Sequence, residues 1–179
     1  MVAFFYHDGL DTPENFTDEH DSGIQVSEHD LAELGVVYKF IDNQADLEEL
    51  ASERNYKNRD VVSLNLGSFG GDEVAYNNKM RQFYTEHYHE DEEIRYVKEG
   101  EGYFDVRDKN DRWVRAKLEK NDLLILPAGI YHRFTLLSRL KNVTAMRLFK
   151  DEPKWEAINR DEQRETKARL DYARSVSVS

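Results

Sequence analysis

The chain has 179 residues, 39% of them hydrophobic and 12% aromatic, which is enough for one well-filled domain with its own core. A formal charge of −11 with no basic stripe argues against nucleic-acid binding, because a phosphate backbone would be repelled at every approach. The absence of cysteine excludes a disulfide framework, thiolate metal sites and thiol catalysis, and no apolar run reaches the about 18 residues a membrane helix needs.

Residues 1–10 are short on apolar length and carry His7 and Asp8, so no signal peptide is expected there. The expected location is the cytoplasm, with the nucleus open to a chain of this size. Residues 7–30 are polar and acidic, include Pro13, and read as an irregular solvated segment. Ser27 is placed to cap a short helix through Asp30, Leu31 and Leu34, stopped near Gly35. Residues 36–41 are β-branched and aromatic, which predicts a strand. The range 46–54 predicts a helix with Leu47 and Leu50 on one face. Residues 61–66 predict a further strand, closed by Gly67 and the Gly70-Gly71 pair. From Asp72 to Glu86, Val74, Tyr76, Met80, Phe83 and Tyr84 fit an amphipathic helix that leads into His87.

The pattern then changes. Residues 94–97, 102–106, 113–117, 123–126, 132–136 and 143–149 are short strand candidates. Turn signals separate them at Glu99-Gly100, at 108–111, at Lys120-Asn121, at Pro127-Ala128-Gly129 and at Lys141-Asn142. Such spacing predicts a small antiparallel sandwich or barrel. The tail from Asp161 to Ala173 reads as a mostly exposed helix. The expectation is a single domain, mainly β within the α+β class. It has an α/β extension over 1–72, a barrel core over 73–150 and a C-terminal extension with a helix over 151–179.

Half of the six histidines stand in one constellation: His87-Tyr88-His89-Glu90-Asp91-Glu92-Glu93, with His132 downstream. On an extended strand His87 and His89 share a face. Three imidazoles and the Glu93 carboxylate form a mixed N/O donor set. It suits a divalent first-row transition metal such as iron, nickel, cobalt or manganese better than calcium or magnesium. Taken alone, His-x-His also describes two surface histidines on a hairpin. Glu86, Glu90 and Asp91 are the nearby candidates to accept the imidazoles' other N–H groups. Arg95 follows Glu93 by two positions on the same strand face. It is read either as a structural ion pair or as a cation for an anionic substrate oxygen. Arg147, in an otherwise apolar strand, is a second candidate cation, and Phe134, two beyond His132, should look inward. Pro127 and Gly129 shape the bend that presents His132.

The block from His87 through Glu93 to Gly100, and the block Asn121-x5-Pro127-x-Gly129-x2-His132, resemble the paired motifs of the cupin superfamily. Arg81, Asn121 and Leu136 depart from those motifs at positions that are not ligands. Longer runs are similar to one family within it. They are His87-x-His89-x3-Glu93-Ile94-Arg95-Tyr96, Gly102-Tyr103-Phe104-Asp105-Val106-Arg107-Asp108, residues 126–135, Met146-Arg147-Leu148-Phe149 and Glu152-Pro153-Lys154-Trp155. These runs, with Leu34-Gly35-Val36-Val37-Tyr38 and Glu53-Arg54-Asn55-Tyr56, resemble acireductone dioxygenase, in a fungal-like form, over roughly residues 30–160.

That resemblance implies a double-stranded β-helix, or jelly-roll barrel, with one metal per chain held by His87, His89, Glu93 and His132. It implies Fe(2+)-dependent addition of O2 to the acireductone 1,2-dihydroxy-3-keto-5-methylthiopentene. The products would be formate and 4-methylthio-2-oxobutanoate, in methionine salvage. With Ni(2+) they would be 3-methylthiopropionate, formate and carbon monoxide. Arg95 would be catalytic and substrate-binding, and Phe83, Phe134, Arg147 and Trp155 would line the substrate pocket, though a plain core role stands beside this for Phe83 and Trp155. A monomer is expected, with small-molecule partners and no membrane insertion. Three alternatives stand beside this reading: another cupin enzyme sharing the ligands, a metal-binding module without turnover, and a storage-type structural protein.

Overall fold

The structure, a computed structural model, describes residues 3–152 and 156–177. β1 (Ala3–His7) and β2 (Asp21–Gln25) pair antiparallel, so the N-terminal stretch expected to be irregular holds a strand at each end. α1 (Glu28–Glu33) begins at Ser27, whose hydroxyl accepts from the Asp30 amide while the Asp30 carboxylate accepts from the Ser27 amide. β3 (Val37–Phe40), α2 (Gln44–Glu53), β4 (Asn58–Leu64) and α3 (Glu73–Tyr84) follow close to their predicted ranges. Asn43 and Asp72 cap the two helices by accepting first-turn amides. Next come β5 (His87–Tyr88), β6 (Glu93–Arg107), β7 (Trp113–Glu119), β8 (Asp122–Leu126), β9 (His132–Leu136) and β10 (Val143–Phe149). β11 (Ile158–Asn159) and α4 (Lys167–Ser177) follow, and short 3-10 turns lie at Leu66–Phe69 and Arg160–Glu162. No helix among the described residues is long and apolar enough to cross a membrane.

β6 is 15 residues long and runs through the turn expected at Glu99-Gly100. The reason is a β-bulge. The register against β10 slips between Thr144, opposite Glu99, and Ala145, opposite Val97. Gly100 takes φ +77°, and a Cβ there would lie 2.1 Å from the Asn142 carbonyl oxygen. The extra residue reverses the alternation of the strand. Before the bulge Glu93, Arg95 and Val97 line the internal cavity; after it Gly102 and Phe104 do.

Every ladder is antiparallel, and β6 belongs to two sheets. Its first half pairs with β8 and β10, which are extended by β3 and β4. Its second half pairs with β7 and β9, extended by β1 and β2 on one side and by β5 and β11 on the other. The path does not close into a ring. The inner faces of both sheets line one cavity of about 920 Å³, the arrangement of a cupin-type jelly roll. On the outer face of the first sheet, α2 packs Leu47 and Ala51 against Ile94, Tyr96, Ile125 and Leu148. On the outer face of the second sheet, Asp105 stands directly across from Arg115 on β7 and Arg133 on β9. Both arginines donate to its carboxylate at 2.7 Å, and the Asp18 and Glu19 carbonyls accept from Arg115 at 2.9 and 3.0 Å. The polar N-terminal loop therefore caps a buried ion cluster and is not simply solvated. α4, expected to be mostly exposed, buries Tyr172, whose hydroxyl donates to the Leu34 carbonyl at 3.0 Å.

Candidate metal centre

His87 and His132 lie opposite each other where β5 pairs with β9, His89 follows two residues later, and Glu93 opens β6. The three rings gather at one end of the cavity, with centroids 4.5 Å (His87–His132), 5.1 Å (His87–His89) and 5.3 Å (His89–His132) apart. One nitrogen from each ring falls within 4.8 Å of the others. Glu93 Oε2 is 2.8 Å from His132 Nε2 and 3.3 Å from His89 Nε2.

Backbone carbonyls set the tautomers. The Nδ1 atoms of His87, His89 and His132 lie 2.6, 2.9 and 3.0 Å from the carbonyl oxygens of Thr85, Glu156 and Ile130. A carbonyl only accepts, so each Nδ1 carries the proton and each Nε2 presents a lone pair to the centre. The second-layer acceptors expected among Glu86, Glu90 and Asp91 are thus main-chain groups. Glu86 instead pairs with Arg107 at 2.7 Å and Arg160 at 2.6 Å.

Glu93 Oε2 and His132 Nε2 are buried, 2.8 Å apart, and neither has a hydrogen-bond partner among the described residues. Two lone-pair-bearing atoms at that separation repel unless a positive charge lies between them. Three imidazole nitrogens and one carboxylate oxygen, stripped of competing hydrogen bonds, fit a divalent transition-metal ion. Burial, then the neighbouring His132, pushes His87 down to about 3, and burial lowers His89 against the pull of Glu93, so both imidazoles are neutral. Burial alone would raise Glu93, but the Arg95 guanidinium, followed by His132 and His89, holds its carboxyl well below the usual range.

Arg95 lies beside the donor set, with Nη2 3.0 Å from Glu93 Oε1 and Nη1 donating to the Ile94 carbonyl at 3.0 Å. It lines the cavity, so the ion-pair and pocket-cation readings hold together. Arg147 faces Arg95 across the β10–β6 ladder and also lines the cavity, but its Nε donates to Asp60 at 2.8 Å, so this cation is already paired. Phe83 meets Phe134 edge to face at 6.0 Å, and both line the cavity. Trp155 lies outside the described residues.

Sequence reasoning missed Phe104, whose ring centroid is 4.8 Å from that of Phe134, and Gly102, whose missing side chain makes room for Phe134. A Cβ at Gly102 would lie 2.7 Å from that ring. The strand period could have found both, had the bulge not been taken for a turn. A second cluster, His7, Asp8 and His20, also has three candidate ligand atoms within 4.8 Å. Its lone pairs are engaged, however. His7 Nδ1 accepts from the Gly9 amide at 2.9 Å, His20 Nδ1 and Asp8 are 3.0 Å apart, and the two rings stack at 4.9 Å. It is a hydrogen-bonded brace, not a convergent donor set.

The family model described as ARD/ARD' matches residues 3–157, a span that includes both ligand strands and the cavity. The chain belongs to the ARD/ARD' family. Acireductone dioxygenase of Candida albicans is 66% identical over 178 residues, covering 99% of this chain and 100% of the relative. Acireductone dioxygenase of Saccharomyces cerevisiae is 50% identical over 175 residues and covers 96% of each chain. A solved acireductone dioxygenase from Bacillus anthracis, with a cadmium ion in its active centre, shares the fold. Its TM-score is 0.64 at 22% identity, covering 87% of this chain and 97% of that one. Within the ARD/ARD' match lie His87, His89, Glu93, Arg95 and His132, and also Trp155.

Proposed function

We propose that this protein is a metal-dependent acireductone dioxygenase of methionine salvage. One observation carries the reading: one nitrogen from each of three histidines and a Glu93 oxygen without a hydrogen-bond partner among the described residues converge at the end of the cavity, with the partly buried Arg95 beside them. His87, His89, Glu93 and His132 would hold one Fe(2+) on pathway, or Ni(2+) as the alternative. When bound, the ion supplies Lewis acidity and a template that fixes which substrate oxygens are engaged.

The remaining work falls to the chain's own residues. The Thr85, Glu156 and Ile130 carbonyls keep the ring protons on Nδ1, so the histidines bind as neutral donors. Arg95 keeps its charge next to Glu93 and orients an anionic substrate oxygen through a charge-assisted hydrogen bond. Phe83, Phe104 and Phe134 form an apolar, polarizable wall that takes the methylthioethyl tail and excludes water. Arg147, fixed by Asp60, sets the polarity of the opposite wall. Trp155 is proposed as a further pocket residue.

With iron, acireductone and O2 give formate and 4-methylthio-2-oxobutanoate. With nickel they give 3-methylthiopropionate, formate and carbon monoxide. The test is to strip the protein, reload it separately with Fe(2+) and Ni(2+), supply acireductone and oxygen, and separate the products. Keto acid without carbon monoxide is expected from the iron form, and carbon monoxide from the nickel form. Oxygen uptake no faster than the spontaneous reaction with both metals would overturn the proposal.

A further inference from the structure

The residues that alternate with the candidate ligands point away from the cavity, and the C-terminal segment holds them there. Tyr88, between His87 and His89, is fully buried and donates its hydroxyl to the Arg164 carbonyl at 2.7 Å. Its ring meets that of Tyr131, the neighbour of His132, edge-on at 5.6 Å. Tyr131 has two guanidinium groups against its ring, with Arg169 4.0 Å and Arg160 4.6 Å from the ring centre. β11 pairs with β5, placing Asn159 opposite His87, and the Arg160 amide donates to the Glu86 carbonyl at 3.0 Å.

These contacts meet at Gly129. Its N–H donates to the His89 carbonyl at 2.9 Å, and its own carbonyl accepts from Arg169 Nη1 at 2.8 Å. Gly129 takes φ +86°, and a Cβ there would lie 2.4 Å from the Ala168 carbonyl, so α4 rests directly on the backbone of the turn. The next residue, Ile130, supplies the carbonyl that fixes the His132 tautomer. One turn therefore touches both ligand segments on one side and α4 on the other.

We propose that Arg169 is a positioning residue for the metal centre. From α4 it locks the turn at 129–131 and so sets the spacing between the His87/His89 segment and His132, without touching the ligands. The inference rests on the metal-site reading above. Metal affinity depends on ligand placement to a fraction of an ångström, and partners behind the ligands typically contribute about 10–100-fold.

The experiment titrates the metal-free full chain with Co(2+), following the visible d–d absorption of the bound ion. Arg169→Met is expected to weaken Co(2+) binding by about tenfold, at the lower end for groups behind the ligands, and to alter the absorption envelope. Arg169→Lys, which restores a cation over Tyr131 and one donor, should recover part of the loss. Lys167→Met, on the exposed face of the same helix, should bind like the parent. Far-UV circular dichroism checks that each variant is folded. A purely structural role would lower the thermal stability of the metal-free protein and leave Co(2+) affinity and the absorption envelope unchanged. Affinity in folded Arg169→Met within about twofold of the parent would overturn the proposal. Should that variant not fold, Arg169→Gln is held to the same criterion. The titration uses no substrate, so a parent protein that binds Co(2+) but does not cleave acireductone would sink the dioxygenase reading alone.

Discussion

At Glu93 the two carboxylate oxygens face different partners: Oε1 meets Arg95 at 3.0 Å, while Oε2 meets Nε2 of His132 at 2.8 Å and of His89 at 3.3 Å. The two sides predict separable losses. Glu93→Gln keeps the shape but removes the charge and one anionic donor, so the purified protein should lose most of its metal, as metal analysis would show. Arg95→Met should keep one metal per chain yet lower kcat/KM by about 100-fold, the scale for removing a partly enclosed charged partner. Parent-like kinetics in that variant would remove Arg95 from the chemistry. A different titration belongs to His7. Burial, helped by Arg115 and Arg133 and opposed by Asp105 and Asp11, pushes His7 down to about 4. In the unfolded chain it titrates near about 6.5, so between these values the unfolded chain binds more protons than the folded one. The stability from a neutral His7 is full above about 6.5 and is lost as pH falls toward 4. His7→Asn, which keeps an acceptor for the Gly9 amide, should flatten the melting temperature across that window; an unchanged slope would exonerate His7. The candidate donor set was legible in sequence because three His and one Glu stand at spacings that a barrel strand pair can bring together. The atoms that fix their tautomers were not, because a main-chain carbonyl such as that of Glu156 has no sequence signature.

Among the elements, β6 shows where local signals mislead. Glycine with positive φ serves turns and bulges equally, so Glu99-Gly100 looks like the end of a strand until the partner register is known. The first helix was easier to read, since Ser27 stands where its first turn needs an acceptor, whereas the C-terminal helix begins at Lys167 and not at Asp161. Gly100→Ala should cost more than about 2 kcal/mol in urea unfolding, because left-handed strain adds to a backbone clash at 2.1 Å. Gly23→Ala, at φ +80° but facing open space, should cost only about 1 kcal/mol. Equal losses at the two sites would mean that β6 accommodates the added methyl.

At the scale of the whole molecule, charge is distributed in a way that composition could not reveal. Asp105 is fully enclosed between Arg115 and Arg133, and a stretch rich in Asp and Glu that looked solvated closes over them. Pairing is what permits such burial, and the pairing is cross-strand, hence invisible before the register is known. Asp105→Asn leaves two guanidinium groups facing each other away from water and should destabilise the protein by about 3–5 kcal/mol, read from the urea midpoint. Metal should act in the opposite direction. An ion that binds only the folded chain adds about 2.7 kcal/mol at a free concentration 100 times its Kd, so added Ni(2+) should raise the melting temperature of the parent and not that of Glu93→Gln.

The bulge at Gly100 gives β6 something like a reading frame. Upstream, odd-numbered residues face the cavity and downstream even-numbered ones do, so ironing out the bulge at constant length would act as a frameshift confined to a single strand. The Asp105 carboxylate would turn into the apolar cavity and Phe104 would leave it, with every other residue in the chain unaltered. Along this stretch residue count and bulge are therefore tied together, and lineages that keep the cavity should either keep both the length and Gly100 or lose one residue and the bulge together.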